Sequence, residues 1–463
     1  MIHPSVLAAF VHALGDIPVI RDPALVRQRS RDFFWYSPVL NRQLNEMTAD
    51  IVVCARNSAD VVRILAAACR YAVPITPRGG GTGTYGQAVP LAGGAVLDLT
   101  RLDRIVWTRE GVLRVEAGAR MIDIERVLRE RGWELRMFPS TKRTATIGGF
   151  VCGGWAGIGS ITWGGLRDAG NLIGVEVVTA EAVPRILQLR GHETDLVQHG
   201  YGTTGIVTEV ELPLAPATAW IDVAVAFGNF MQGAGFCLAL SNAPGIDRKL
   251  VSMIEETIVR SFRGLRERVS PGESLALLMV AKSSRIAVME LVAAHGGRIV
   301  IETGSYAAET GADVTPLYEY AWNHTTSHML ALDPSITYLQ TVFPAADLLA
   351  RVALIRERLG DELPMHLEFL RLGGAVTCVG LPIVRFAGEA RLFEIIRIHE
   401  ECGIGVANPH VFTLEERGHG RLPSSQSDFK REVDPFGLLN SGKMRDYIPV
   451  QRSEPVQRSG AAE

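Results

Sequence analysis

The first 48 residues show a helical repeat of apolar positions. Val6, Phe10 and Leu14 recur every four residues, and prolines then interrupt the pattern. Residues 1–48 are therefore predicted to form a helical lead-in that contributes packing only.

From residue 49 onward, short runs of β-branched and aliphatic residues alternate with amphipathic stretches. Ile51–Cys54 is predicted to be a strand, Ser58–Tyr71 a helix capped by Ser58, and another strand begins at Ile75. The same pattern predicts the helix Met121–Arg131 and the strands Ala95–Leu99, Ile105–Trp107, Leu113–Glu116, Val175–Thr179 and Gly205–Leu214. Residues 49–215 are predicted to fold as two successive α/β lobes.

Beyond this point, β-type segments alternate with helical ones again. The predicted strands are Ala219–Phe227, Ser274–Val280, Gly297–Ile301, Thr337–Phe343 and Ala375–Val379, and the predicted helices span 229–240, 284–295, 345–360 and 387–402. This pattern is typical of an α+β domain with one antiparallel sheet and helices on one face, assigned to residues 216–425. Residues 451–463 are polar and aperiodic, which predicts a flexible tail.

Composition narrows the function classes. The 463 residues are 47% hydrophobic and 21% charged, which is typical of a globular protein of two or three domains. A net charge of -3 gives no attraction to nucleic acid. Neither a secretory signal nor an apolar run of the roughly 20 residues that span a membrane is found. Six cysteines without a Cys-x-x-Cys pair predict reduced thiols in a cytoplasmic protein.

The strongest local signal is a glycine-rich loop directly after the strand at Ile75. Residues 77–87 contain five glycines, and consecutive glycines allow successive backbone amides to converge on a phosphate. No helix follows the loop, as a nicotinamide Rossmann site requires, and no Gly-Lys-Ser/Thr forms a P-loop. A pyrophosphate is the expected guest; a mobile surface turn is the alternative.

Two more glycine clusters follow. One runs from Pro139 through Thr146, Gly148 and Gly149 to Asp168, and the other is Tyr201–Glu209. Glycine inside ordered structure costs roughly 0.5–1 kcal/mol relative to alanine, so such density indicates close backbone approach to a flat ligand.

These motifs and their order resemble a known family. Pro77–Gly83, Thr146–Gly149, Gly202–Glu209 and Asp434–Lys443 are similar to motifs of the vanillyl-alcohol-oxidase and p-cresol-methylhydroxylase (PCMH) family of FAD flavoproteins, and most similar to its D-lactate dehydrogenase and glycolate oxidase branch. The resemblance covers nearly the whole chain. It implies a two-lobed PCMH-type FAD-binding domain, an α+β cap domain, and a C-terminal segment over residues 426–450 that returns to the flavin.

The resemblance also assigns cofactor contacts. It implies a pyrophosphate cradle at the first loop, an isoalloxazine and ribityl wall at the second cluster, an adenine side at the third, and a C-terminal contribution. The residues are, in that order, Arg78, Gly79, Gly80, Gly81, Thr82, Gly83 and Thr84; Pro139, Thr146, Gly148 and Gly149; Ile206 and Val207; and Asn440 and Lys443. For Lys443, a solvated tail charge is the alternative.

Departures from the family pattern refine these expectations. Members with covalently attached flavin often carry histidine in the first loop, where this chain has Thr82, so non-covalent FAD is expected. The hydroxy-acid branch usually has Glu-His-Gly-Ile-Gly, where residues 401–405 read Glu-Cys-Gly-Ile-Gly. No counterpart of that branch's histidine-rich cluster is found, so no metal is assigned.

Five polar residues of the predicted cap are candidates for proton transfer: His324, His366, Glu368, Asn408 and His410. His366 and Glu368 are two apart, so in a strand they would share a face and one could orient the other as a base. A structural hydrogen-bonding role is the alternative for each.

Together these features predict an FAD-dependent oxidoreductase. It would transfer hydride from a hydroxylated small molecule, a 2-hydroxy acid or an alcohol, to FAD and pass electrons to oxygen or a carrier protein. A homodimer is the candidate assembly. The alternative is a flavin-binding electron-relay or assembly subunit without substrate chemistry.

Overall fold

The computed structural model describes residues 2–311, 315–416 and 423–449. The predicted tail, 451–463, lies outside these ranges. Within them, no helix combines the length and the apolar character that crossing a bilayer requires. All six cysteines are free, as their spacing predicts.

The lead-in consists of short helices that begin at proline. Proline at the first helical position is favourable because its fixed φ suits the helix and its missing N–H needs no partner there. The side chains of Asp22 and Ser37 cap two of these helices. The elements are α1 (Pro4–Leu14), β1 (Val19–Ile20), α2 (Pro23–Arg29) and α3 (Pro38–Leu44).

The first lobe is a four-stranded sheet with strand order β1-β2-β4-β3, in which β2, β4 and β3 are parallel. Every residue of β2 and β4 is buried, as expected for parallel strands covered on both faces. The predicted strand–helix–strand unit is confirmed, although the helix cap is Asn57 rather than Ser58. The elements are β2 (Ile51–Cys54), α4 (Ser58–Tyr71), β3 (Ile75–Arg78) and β4 (Ala95–Asp98).

The second lobe is a six-stranded sheet in which β10 pairs with β6, β7 and β8. Its antiparallel strands carry the loops of the second and third glycine clusters. The elements are β5 (Ile105–Arg109), β6 (Val112–Glu116), α5 (Met121–Arg129), β7 (Trp133–Leu135), α6 (Ile147–Gly153), α7 (Ser160–Trp163), β8 (Gly174–Val178), β9 (Ile186–Arg190) and β10 (Ile206–Pro216).

The cap contains an eight-stranded antiparallel sheet with the order β14-β11-β13-β12-β17-β18-β16-β20, which confirms the α+β prediction. A two-stranded sheet pairs β15 with β19. Its elements are β11 (Trp220–Phe227), α8 (Phe230–Asn242), β12 (Arg248–Ile254), α9 (Glu256–Val259), β13 (Ser274–Ala281), α10 (Arg285–Ala294), β14 (Arg298–Gly304), α11 (Ser305–Thr310), α12 (His324–Leu330), β15 (Ile336–Tyr338), β16 (Thr341–Val342), α13 (Leu348–Leu359), β17 (His366–Leu372), β18 (Ala375–Gly380), β19 (Ile383–Arg385), α14 (Glu389–Glu401) and β20 (Gly405–Val406).

Several strands of the cap differ from expectation, and β17, β19 and β20 lie outside the predicted strands. The predicted strand Thr337–Phe343 is divided between β15 and β16, which lie in different sheets. β12 was not predicted because Arg248 and Lys249 interrupt its apolar pattern, yet all seven of its residues are buried.

The chain then returns to the first lobe. After α15 (Ser424–Val433), Leu438 accepts a 2.8 Å hydrogen bond from the Ile75 amide, and the Asn440 amide donates to the Ile75 carbonyl at 2.8 Å. The C-terminal segment therefore runs beside the strand that leads into the first glycine loop.

Candidate functional site

A cavity of about 260 Å³ lies between the two lobes and the cap. The three glycine clusters meet there. A Cβ on Gly79 would lie 2.1 Å from the Thr146 hydroxyl, and a Cβ on Gly202 would lie 2.4 Å from Cγ of Pro77. The sequence-predicted residues that line the cavity are Arg78, Gly79, Gly80, Gly81, Thr82, Gly83, Thr84, Pro139, Thr146, Gly148, Gly149, Ile206 and Val207.

The first glycine loop presents unpartnered amides to this cavity. Among the described residues, none of the backbone N–H groups of 79–84 has a hydrogen-bond acceptor. The loop is also closely packed: a Cβ on Gly80 would lie 2.2 Å from the Thr144 carbonyl oxygen, and Gly81 has a φ of +65°. Consecutive amides without internal partners form an anion-binding nest, so the loop fits a pyrophosphate.

The lead-in takes part in this loop, which differs from the prediction that it only packs. The Phe33 amide donates to the Gly83 carbonyl at 2.7 Å, and Arg78 donates to the Arg31 carbonyl. Asp32 lines the cavity and accepts hydrogen bonds from the amides of Phe34 and Ala88. Because this carboxyl is buried, its pKa is raised to about 6.

Asn440 and Lys443 do not line the cavity but support the loops from behind. The Asn440 amide group donates at 2.8 Å to the carbonyls of Gln87 and Tyr201, which belong to the first and third clusters. Lys443 Nζ donates to the Gly86 carbonyl at 2.6 Å. Burial lowers the pKa of Lys443 to about 7. The structure therefore places Lys443 in the interior rather than in a solvated tail.

A second buried lysine, absent from the sequence-predicted set, holds the third cluster. Lys430 Nζ donates to the Thr203 carbonyl at 3.0 Å, to the Leu439 carbonyl at 3.2 Å and to Asp434 at 2.6 Å. Lys430 lies four residues before Asp434, the C-cap residue of α15, and this spacing was a sign of the pair in the sequence.

His366 and Glu368 share a face of β17, as the strand spacing predicts. His366 Nε2 lies 2.8 Å from Glu368 Oε1, and both side chains are buried. Glu368 also accepts from the Trp322 amide at 2.7 Å, while Thr325 Oγ1 contacts His366 Nδ1 and donates to the Trp322 carbonyl. Glu368 thus holds the backbone amide of Trp322 directly, and His366 holds its carbonyl through Thr325. Trp322 lines the cavity and has a φ of +52°.

His410 joins the lead-in to the cap. Its Nε2 lies 3.0 Å from the Tyr338 carbonyl, which only accepts, so Nε2 carries the proton. Nδ1 then accepts from the Ser37 hydroxyl at 2.7 Å. Burial lowers the pKa of His410 to about 4, so the ring is neutral near pH 7. Asn408 positions this residue by accepting from its backbone amide.

His324 contacts the Glu319 carbonyl through Nδ1, and burial lowers its pKa. None of the five sequence-predicted proton-transfer residues is among the described residues that line the cavity. Across residues 2–311, 315–416 and 423–449, no three His, Cys, Asp or Glu side chains are arranged to hold a metal ion.

The cap-facing end of the cavity is built from residues that the sequence did not single out for it. Tyr85 donates to the Gln340 side-chain oxygen, and Gln340 Nε2 lies 3.4 Å from Asn323 Oδ1. His199 Nδ1 donates to the Gly154 carbonyl at 2.9 Å. The glycines around 153–157 predicted a flat ligand here, but no sequence pattern linked Tyr85 to Gln340, which are 255 positions apart.

Comparisons with known proteins agree with this geometry. Residues 49–183 match the family model described as an FAD binding domain. Glycolate oxidase subunit GlcD of Bacillus subtilis (strain 168) is 33% identical over 176 residues, or 36% of this chain and 37% of the relative. D-2-hydroxyglutarate dehydrogenase of Escherichia coli (strain K12) is 38% identical over 144 residues, which are 30% of this chain and 14% of the relative. D-lactate dehydrogenase of Anaerostipes hadrus is 24% identical over 292 residues, which are 59% of this chain and 60% of the relative.

The matched regions thus span from 14% to 60% of the length of these relatives. Solved structures show the same fold over nearly the whole chain. Alkyldihydroxyacetonephosphate synthase superposes with a TM-score of 0.71 at 15% identity, covering 96% of this chain and 85% of that one. 4-Ethylphenol oxidase from Gulosibacter chungangensis superposes with a TM-score of 0.66 at 17% identity, covering 96% of this chain and 97% of that one. Residues 49–183 thus contain an FAD-binding domain, and the sequence relatives and the shared fold support the resemblance to the PCMH-type FAD flavoproteins and their D-lactate dehydrogenase and glycolate oxidase branch.

Proposed function

We propose that the protein is an FAD-dependent oxidoreductase that oxidises the CH–OH group of a small molecule, a 2-hydroxy acid or an alcohol. The observation that carries this proposal is the row of unpartnered amides at 79–84, which opens into the same cavity as the other two glycine clusters and the cap. When bound at this site, FAD would supply the acceptor for the hydride of the alcohol carbon, and the hydroxyl proton would leave to solvent as the carbonyl product forms.

The chain's own groups bind and orient. In this proposal the amides of 79–84 hold the pyrophosphate, the second cluster lines the isoalloxazine and ribityl portion, and Ile206 and Val207 follow the adenine side. Asn440 and Lys443 keep the loops at the correct spacing through their bonds to the loop carbonyls. FAD is held without a covalent bond, since Thr82 stands where a histidine is often the attachment point.

The cap candidates act indirectly in this account. His366 and Glu368 are positioning residues that fix Trp322 in the cavity wall, because their hydrogen bonds end on its backbone. His410 fixes the lead-in against Tyr338, whose hydroxyl donates to Thr84 of the first loop at 2.9 Å. His324 and Asn408 support the same cap elements.

Flavin spectroscopy tests the proposal. The protein purified with FAD is expected to show flavin absorbance, to release the flavin into the supernatant on acid precipitation, and to be bleached anaerobically by a hydroxylated substrate. Flavin that pellets with the protein would contradict non-covalent binding. Bound flavin that no alcohol or hydroxy acid bleaches would instead favour an electron-relay or assembly subunit.

Reoxidation of the reduced protein would identify the electron acceptor. Oxygen and a carrier protein both remain predictions, as do a homodimer and a cytoplasmic location. Mixing the reduced protein with air or with a one-electron acceptor distinguishes oxygen from a carrier protein. Measuring the mass in solution tests the homodimer.

A further inference from the structure

The substrate end of the cavity, which we call the cap wall, is lined by uncharged side chains. Two indoles and two amides stand among small and aliphatic residues. The cap wall comprises Trp155, Ala156, Trp322, Asn323, Gln340, Thr341, Val342, Val379, Leu381 and Ala407.

Part of the cap wall is an apolar surface. Ala156 and Val379 are buried in one hydrophobic cluster, against which Trp155, Trp322 and Val342 pack. An ionised carboxylate placed in such surroundings needs a cation to offset its lost hydration. A short apolar alcohol needs none, because its body is favoured by the same surface.

Among the described residues that line this end, His199 is the single side chain that could become a cation, and its Nδ1 donates to the Gly154 carbonyl. Among the described lining residues, Arg78 is the single lysine or arginine. It belongs to the first glycine loop, where it donates to the Arg31 carbonyl and is attracted by Asp32. Its guanidinium is therefore committed to the pyrophosphate end.

A chain of neutral hydrogen bonds sets the polarity of the cap wall. Tyr85 donates to Gln340 Oε1, so the Gln340 NH₂ group faces Asn323 Oδ1. Asn323 must then present its own NH₂, for which the described residues provide no acceptor. An oriented amide donor suits both an alcohol oxygen and the carbonyl oxygen that oxidation produces.

We propose that the substrate is an uncharged alcohol with an apolar body, held by a hydrogen bond from Asn323 Nδ2 to its oxygen, and that 2-hydroxy acid anions are disfavoured. This inference rests on the proposed oxidoreductase function and narrows its substrate class.

Matched substrate pairs test the class. Mandelate and methyl mandelate, and lactate and methyl lactate, differ in charge but share the same CH–OH group. Anaerobic flavin bleaching near pH 7, where the acids are ionised, is expected to be at least about tenfold more efficient with the ester, measured as rate per concentration. A preference for the acid would overturn the substrate class and leave the proposed function intact. Bleaching by neither member of either pair would also overturn the substrate class, whereas only bleaching by no alcohol or hydroxy acid at all would overturn the proposed function.

Substitutions in the polar chain test the contact. Asn323→Asp removes the donor, and Gln340→Leu removes the hydrogen bond that orients it; each substitution is expected to raise KM for the favoured ester about tenfold. FAD affinity should stay within about twofold, since neither side chain belongs to the glycine clusters. Gln232→Leu is the matched control, because that glutamine bonds the His295 carbonyl on the protein surface.

Ligand binding gives a readout independent of turnover. Trp155 and Trp322 line the cavity, so the ester should change tryptophan fluorescence at concentrations where the acid does not. Two results would overturn the proposal: tighter binding of the acid in this assay, or ester kinetics unchanged in both variants while FAD stays bound.

Discussion

The two ends of the cavity are built in different ways. At the loop end the binding groups are backbone amides, those of residues 79–84, which a run of neighbouring glycines leaves accessible. At the cap end the contacts are made by side chains, and Tyr85 donates to Gln340, which lies 255 positions away along the chain and in turn contacts Asn323. A site made of main-chain groups depends on local conformation, whereas a site made of side chains depends on the tertiary fold.

The largest expected effect comes from adding bulk at the loop end. A Cβ on Gly80 would lie 2.2 Å from the Thr144 carbonyl oxygen, which is backbone and cannot move aside. Gly80→Val should therefore raise the FAD dissociation constant at least about a hundredfold, close to 3 kcal/mol. Flavin fluorescence titration measures this. Gly235→Val is the control, because nothing lies within 4 Å of its Cβ position. Equal losses in the two variants would contradict the account.

The next prediction tests whether the His410 ring is buried in its neutral form, as a structural role requires. Burial lowers its pKa from 6.5 to about 4, so between these values the unfolded chain binds more protons than the folded one. Stability is therefore lost as pH falls from about 6.5 to 4, by about 3 kcal/mol at the lower end.

In His410→Gln this contribution disappears. The wild-type advantage in free energy of unfolding, measured by denaturant titration, should be largest at pH values above about 6.5 and shrink toward pH 4. A difference that stays constant over this range would show that the ring is not buried in its neutral form.

A smaller effect is expected behind the loops. Asn440 donates to the carbonyls of Gln87 and Tyr201 and has a φ of +43°, so Asn440→Gly removes both bonds and keeps a tolerated backbone conformation. FAD affinity should fall about thirtyfold, or about 2 kcal/mol. Asn242→Gly, at an exposed helix end, provides the comparison. Unchanged affinity in Asn440→Gly would mean that the C-terminal return does not position the loops.

The smallest effect concerns the cap end. Thr325→Val keeps the shape of the side chain and removes its hydrogen bond to the Trp322 carbonyl. Substrate KM should rise about fivefold to tenfold, roughly 1 kcal/mol, with FAD affinity unchanged. Thr310→Val removes a similar bond, to the Tyr306 carbonyl, at an exposed site and should leave KM alone. Loss of FAD instead of substrate affinity would contradict the separation of the two ends.

The sequence predicted what is local. Ile51–Cys54 and Ser58–Tyr71 were predicted with their observed bounds, because a strand buried on both faces and an amphipathic helix each carry their own pattern. β12 was missed because its buried Arg248 and Lys249 are satisfied only by partners in the fold: the Ser241 carbonyl for one and Glu134 for the other.

The same distinction applies to the site. The glycine loops were readable because missing side chains are visible in the sequence. The cap histidines were chosen as candidates by residue type, but residue type does not show where a side chain points. His366 points into the interior, toward Glu368 and Thr325. Asp32 was missed because its place beside the first loop follows from how the lead-in packs, which no local pattern encodes.

The structure of the protein reconstituted with FAD would test the central claim most directly. The account predicts pyrophosphate oxygens within hydrogen-bond distance of the backbone N–H groups of 79–84, with the flavin ring between the cap wall and the residues Pro139, Thr146, Gly148 and Gly149. A pyrophosphate bound elsewhere, with those amides still lacking an acceptor, would contradict it.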